Sequence, residues 1–317
     1  MREIAGTFGI SDITDIIPFG SGHINDTFLV SAGGERYILQ SLNTSVFSAP
    51  EMVMKNAAIT EAASLRSGAV KVPHYISVGG KNYIKTDSRI WRMYRYAESC
   101  AVSAEEGSRM TGYAFGSFTA MISGCKYSTV SEDIHDYQRY LAKLTGLIGN
   151  SSSHRSELAV LTDTWKILSN IFNSSLPHRN VHNDAKSDNV IFGGPCTVID
   201  LDTVGKGYAA LDYGDMVRSV CKSESDIPLL VPLTEGYAQG LGGILTAGEV
   251  RSLATGIFYV TAELAMRYLI DALSGEGYFH RSADECLSRA NGLMSQLELF
   301  SQTRRFINKT IEKAFGM

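Results

Sequence analysis

The spacing of apolar positions along the chain changes character near Ser103. Before it, short apolar runs bounded by glycine or polar clusters predict strands. Thr27 to Ser31 is one, turning at Ala32-Gly33-Gly34 into a second over Arg36-Tyr37-Ile38-Leu39-Gln40. Further strands are expected around Val72 to Ile76 and over Tyr83-Ile84 with Ile90 to Tyr94, the last two joined by a turn at Asp87-Ser88. Residues 1–17 mix small apolar and acidic positions and fit a lead-in helix or an edge strand. A single helix interrupts this part: within residues 50–67, Met52, Met54, Ala57, Ala58, Ile59, Ala62 and Leu65 recur at roughly helical spacing. Beyond Ser103 the helical period dominates. Met110 to Ile122, His135 to Ile148, Glu157 to Phe172, Leu233 to Gly240, Ala247 to Leu273 and residues 281–315 all read as helices. Gly112 and Gly116 allow a neighbour to approach the first of these, and Glu157 to Phe172 is expected to pack beneath the hairpin that follows it. The pattern predicts an α+β chain with a strand-rich unit over residues 1–97 and a mainly helical one over 98–317, with no internal repeat and no long linker.

One stretch breaks the helical run, and it carries the chemistry. Val181 to Thr203 reads VHNDAKSDNVIFGGPCTVIDLDT. His182 and Asp184 precede Asn189, a short apolar strand follows over Val190-Ile191-Phe192, and Gly193-Gly194-Pro195 turns the chain. A second strand, Thr197-Val198-Ile199, leads into Asp200 and Asp202, which a continued strand would place on one face. The hairpin thereby gathers oxygen donors of the kind Mg²⁺ prefers beside a carboxylate free to take a proton. The alternative, polar loops flanking a hairpin, leaves two same-face carboxylates at the end of a buried strand with nothing to neutralise them.

Two other segments offer candidate chemistry. In Phe19-Gly20-Ser21-Gly22-His23-Ile24-Asn25-Asp26 the glycines permit backbone N–H groups to approach phosphate oxygens. No Gly-Lys-Ser/Thr follows, so this is no Walker loop, and an ordinary hairpin turn is the competing reading. Glu263 and Arg267 lie four apart on the longest helix and fit a solvated ion pair. Composition narrows the field further. The 317 residues are 44% hydrophobic and 20% charged with a net charge of −4, which gives no signal for nucleic acid or membrane partners. Five scattered cysteines without a C-x-x-C pair favour reduced thiols and a cytoplasmic setting over a disulfide or zinc framework.

The spacing H-x-D-x-x-x-x-N, followed by an apolar strand ending in Asp, resembles that of phosphoryl-transfer catalytic loops. With Ile199-Asp200-Leu201-Asp202 in place of Asp-Phe-Gly, the chain is similar to the aminoglycoside phosphotransferase and choline kinase branch of small-molecule kinases. GSGHIND-TFLV, RYILQSLNTSVF, IWRMYRYAE, VHNDAKSDNVIF and IDLDTV, in that order, resemble the N-acetylhexosamine 1-kinases of that superfamily. The resemblance implies a protein kinase-like two-lobed fold, with the first lobe covering the nucleotide. It also implies ATP as co-substrate, Mg²⁺ as cofactor and transfer to the anomeric hydroxyl of a small sugar. On it, Asp184 is the base, Asn189 and Asp200 are metal ligands, and Asp202 is a further ligand or a supporting group. Gly20, Ser21 and Gly22, together with Gln40, Tyr96 and Ala97, fall on the nucleotide, while His23, Arg267 and Tyr278 join Asp184 at the sugar.

Three questions stay open at this level. Gln40 stands where kinase-like folds usually carry a lysine, so Arg92, Arg95 or the metal must supply the missing charge. Either Asp212 or Asp215 braces the catalytic loop, and His182 is expected to bond loop backbone rather than move protons. The same fold also serves choline, homoserine or aminoglycoside acceptors, and Gln40 keeps an inactive nucleotide-binding regulator among the alternatives.

Overall fold

The computed structural model describes residues 1–20, 25–44, 47, 49–86, 89–130, 135–149, 151–172 and 176–317. Ser21, Gly22 and His23, and the turn at Asp87-Ser88, lie outside the described residues. The first segment holds both a helix and a strand, α1 (Arg2–Thr7) and β1 (Ile13–Pro18). There follow β2 (Asp26–Ala32), β3 (Glu35–Leu42), α2 (Pro50–Ser67), β4 (Ile84–Lys85) and β5 (Ile90–Arg95). The strands form one antiparallel sheet in the order β1-β2-β3-β5-β4.

Period-two alternation gives that sheet two unlike faces. Val30, Leu39, Trp91 and Met93 point outward and are sealed by Ala5 and Phe8 of the α1 segment. On the inner face, register aligns Thr27 with Gln40 and Gln40 with Arg92, so a polar row crosses three strands toward the rest of the molecule. The expected strand at Val72 to Ile76 does not form. Only isolated bridges occur, Lys71 to Thr197 and Tyr75 to Tyr94, because Pro73 has no N–H to continue a ladder.

The remainder is mostly helical: α3 (Ala104–Ile122), α4 (Tyr137–Ile148) and α5 (Arg155–Phe172), then α6 (Ala209–Val220) to α10 after an insertion of small strands. That insertion comprises β6 (Arg179–Val181), β7 (Val190–Ile191), β8 (Thr197–Val198) and β9 (Gly205–Gly207), pairing as β6–β9 and β7–β8. After α6 come α7 (Leu230–Leu241), α8 (Ala247–Ser274), α9 (Ala283–Gln302) and α10 (Arg304–Phe315). Helix α8 starts at a Thr246/Glu249 capping box, ends at a left-handed Gly275, and touches α4, α5, α6, α9 and α10. Helix α5 packs on α4 and α8 rather than under the hairpin, where α3 and α6 lie instead.

The α3–α7 crossing is close enough to require glycine on both helices. A Cβ at Gly112 of α3 would sit 2.0 Å from the Leu233 carbonyl oxygen, and one at Gly236 of α7 would sit 2.2 Å from that of Arg109. Both obstacles are helix backbone, which cannot turn aside. Gly236→Ala is therefore expected to destabilise the protein by about 1–3 kcal/mol, the usual scale of overpacking. A shift in the urea midpoint at unchanged slope is the readout, and a midpoint within error of wild type contradicts the crossing.

Candidate active site

The stretch from Val181 to Thr203 is held from below by α6. Both carboxylate oxygens of Asp212 accept backbone N–H groups, from His182 and from Asn183, at 2.8 Å each. Asp212 is fully buried, and burial pushes it up to about 7 even though the two N–H groups pull the other way. Asp215 pairs instead with Arg218 at 2.8 Å, so Asp212 is the brace. His182 is buried between Phe115 and Phe118 and donates its Nε2–H to the Ile199 carbonyl at 3.0 Å. Burial lowers its pKa, which suits a neutral ring tying one strand end to another.

Asp184 follows directly. Its Oδ2 accepts from Lys186 Nζ at 2.6 Å and from Asn189 Nδ2 at 3.0 Å, and Asn189 also donates to the Asp184 carbonyl at 2.8 Å. Burial works to raise its pKa, but the Lys186 charge and hydrogen bond outweigh it and hold Asp184 at about 2. Oδ1 has no protein partner among the described residues. Lys186 carries a single local signal in the sequence, a cation two positions after the Asp in Asp184-Ala185-Lys186.

Asp200 and Asp202 do not share a strand face. The strand stops at Val198, Asp200 takes a left-handed conformation at φ 61, and Leu201–Thr203 forms a 3₁₀ turn. The two carboxylates consequently part. Asp202 is only 3% exposed, and both its oxygens are engaged: Arg92 donates to each, and Asn25 Nδ2 adds a bond to Oδ2 at 2.7 Å. Of the two readings left open for Asp202, this geometry favours the supporting group over the metal ligand. Asp200 lines the cleft with no hydrogen-bond or ion-pair partner among the described residues. Burial first, and Asp202 second, raise it to about 7. A carboxylate so destabilised, near an Asn189 whose Oδ1 is unengaged, is an all-oxygen donor set that fits a hard divalent cation.

The polar row on the sheet explains Gln40. Its Oε1 accepts from Arg92 Nε at 3.0 Å and its Nε2 donates to Thr27 Oγ1 at 3.0 Å. Gln40 thus orients Arg92 while still bordering the cleft on the side expected for the nucleotide. Arg92 is 1% exposed and committed to Asp202, while Arg95 borders the cleft as an exposed residue and pairs with Glu35 at 3.2 Å. Lys186 is the cation near both Asp184 and Asp200, whose charges raise its pKa against the opposing effect of burial.

Gly20, Tyr96 and Ala97 border the same cleft, of ≈ 1580 Å³. The Tyr96 N–H is taken by the Arg36 carbonyl at 3.0 Å, so its backbone donor is not available to a base. At the other end, the Arg267 guanidinium lies 5.1–5.6 Å from the ring centroids of Tyr140, Tyr278 and Phe279 and donates to Tyr278 Oη at 2.9 Å. Asp271 sets that turn by accepting the Tyr278 and Phe279 N–H groups at 2.8 and 2.9 Å. Glu263 does not pair with Arg267. It is buried, and its partner is His135 at 2.7 Å.

A braced Asp loop and a metal-suited Asp, lying under an antiparallel sheet, place the chain among kinase-like phosphotransferases that act on hydroxyl groups of small molecules. Residues 15–247 match the APH family, described as the phosphotransferase enzyme family, and the chain belongs to it. Its fold is shared by a microcompartment-associated aminopropanol kinase at 17% identity and TM-score 0.72, covering 95% of this chain and 97% of that one. A choline/ethanolamine kinase family protein from Mesorhizobium loti superposes at 15% identity and TM-score 0.62, covering 100% of each chain. Spectinomycin phosphotransferase, in complex with ADP and spectinomycin, does so at 13% identity and TM-score 0.59, covering 99% and 97%.

Proposed function

We propose that this small-molecule kinase moves the γ-phosphoryl group of ATP to the anomeric hydroxyl of an N-acetylhexosamine, GlcNAc or GalNAc, giving the sugar 1-phosphate. The observation that carries the acceptor class is Arg267. Choline and other quaternary amines are recognised by aromatic cages. Here the walls of such a cage, Tyr140, Tyr278 and Phe279, already enclose the chain's own guanidinium. A second cation placed there would be repelled, whereas a neutral sugar offers oxygens to Arg267 and an apolar face to the rings.

Asp184 then accepts the proton of the attacking hydroxyl through Oδ1. An anomeric hydroxyl is more acidic than its neighbours on the ring, so a carboxylate held at about 2 is basic enough once the proton is leaving an oxygen that is bonding to phosphorus. Lys186, beside Asp184 and drawn also by Asp200, offers positive charge to the oxygens of the transferring group. Asn189 and Asp200 are the residues that would hold Mg²⁺, which when bound neutralises phosphate charge. Gly20 and Ala97 border the space left for the nucleotide.

The test is a coupled ADP-release screen of GlcNAc, GalNAc, choline, ethanolamine, homoserine and an aminoglycoside, followed by NMR of the product. Phosphorus coupled to the anomeric proton is the expected signature. Arg267→Met is expected to lower kcat/KM for the sugar about 10- to 100-fold, the worth of a hydrogen bond to a charged group, without changing the KM for ATP. Faster turnover of choline or ethanolamine than of either sugar overturns the acceptor assignment.

A further inference from the structure

We infer that His135 is a positioning residue for phosphoryl transfer: as an imidazolium it bridges Glu263 of α8 to the backbone carbonyl of Asn183, fixing the peptide that presents Asp184. The geometry is direct. His135 Nδ1 lies 2.7 Å from Glu263 Oε2 and Nε2 lies 3.1 Å from the Asn183 oxygen. A neutral ring carries one N–H and satisfies one of these acceptors, while the protonated ring satisfies both. The other side of Asn183 is already held, its N–H on Asp212 and its side chain donating to the Thr203 carbonyl at 2.9 Å. Because the peptide group is planar, holding the Asn183 C=O also sets the N and Cα of Asp184. Glu263 stands one helical turn before Arg267, so the same bridge ties the acceptor-side helix to the base.

The surroundings keep His135 charged. It is largely sealed, with 14% of its side chain exposed against 4% for Glu263. The groups facing it among the described residues are Glu263 and Tyr259 from α8 and Asp212 and Asp215 from α6; the Tyr259 hydroxyl donates to the His135 carbonyl at 2.6 Å. Burial disfavours the charged ring, but Glu263, then Asp215 and Asp212, overcome it and carry the pKa to about 9. A pKa raised on folding stabilises the protein fully below the ordinary value near 6.5 and progressively less as pH climbs through about 9. Alkaline loss of the second N–H therefore frees the Asn183 carbonyl and loosens Asp184.

This inference rests on Asp184 as the base and GlcNAc as an acceptor, and its test separates the three. Wild type, His135→Gln and Glu263→Gln are compared by kcat for GlcNAc from pH 6 to 10 and by NMR titration of the histidine ring. His135 is expected to titrate near 9 in wild type, with kcat falling through the same range. His135→Gln is expected to lower kcat about 10- to 100-fold at pH 7.5, the cost of a small misplacement of a reacting group, with KM for ATP unchanged. Glu263→Gln keeps the shape but removes the charge, so the histidine pKa and the alkaline limb move down together by more than one unit. His135 titrating near 6.5 in wild type, or equal kcat in His135→Gln, overturns the inference. Silence of wild type toward GlcNAc refutes the acceptor assignment instead, and the ring titration still decides the bridge.

Discussion

Asp184→Asn is expected to lower kcat by about two to four decades, the scale set by loss of a general base, while ATP binding stays within about threefold. The asymmetry follows from what each oxygen does. Oδ2 is occupied by Lys186 and Asn189, and an amide retains an oxygen or a nitrogen there with almost the same shape. Oδ1 is the unpartnered position, and an amide at that site is too weak a base to take a proton. The nucleotide end of the cleft, bordered by Gly20 and Ala97, does not involve this side chain. The acid limb of the wild-type profile sharpens the expectation. With Asp184 held at about 2, ionised carboxylate persists through the whole accessible acid range, so any loss of kcat between pH 4 and 6 belongs to another group. A variant with near-wild-type kcat removes Asp184 from the chemistry, whatever happens to binding.

The second large effect concerns stability. Arg92 and Asp202 form a bidentate pair at 1% and 3% side-chain exposure, joining β5 to the turn that follows the catalytic hairpin. Replacing one partner of such a pair leaves a bare buried charge, and Arg92→Met is expected to cost about 3–5 kcal/mol. Gln40, whose Oε1 faces Arg92 Nε, keeps only the longer bond from the Tyr94 hydroxyl at 3.4 Å in the same variant. The double variant Arg92→Met/Asp202→Leu removes both charges and is expected to recover much of the loss, since apolar replacements of a buried pair are often neutral. Urea unfolding of the single and double variants measures the coupling. A single variant losing less than about 1 kcal/mol, the range of exposed pairs, shows that the pair is not sealed. Activity carries a further reading: without Arg92, Asp202 repels Asp200 more strongly, so Mg²⁺ dependence is expected to become more sensitive to acid.

The alternation of β2, β3 and β5 and the helical period beyond Ser103 were enough to anticipate an α+β chain, because burial of one face imposes a period that local sequence must obey. The His182–Asp184–Asn189 spacing likewise displayed its hairpin and the cluster around Asp184. Gly112 and Gly116 announced a close helix crossing. Partner choice was a different matter. Glu263 pairs with His135, 128 positions away, and not with Arg267 on the next turn, because α4 and the catalytic loop bring an imidazole to a face that local spacing treats as solvent. Asp200 and Asp202 part because one residue adopts φ 61, a conformation with no mark in composition.

What the amino-acid sequence determined alone is therefore the class of elements and the set of groups available for phosphoryl transfer, since periodicity and short spacings act within a single strand or helix. The tertiary structure decided which charge answers which: Gln40 to Arg92, Arg92 to Asp202, Asp212 to the loop backbone, and Lys186 to Asp184. Except for Lys186, these partners come from separate elements, and only burial against one another makes their charges strong enough to matter.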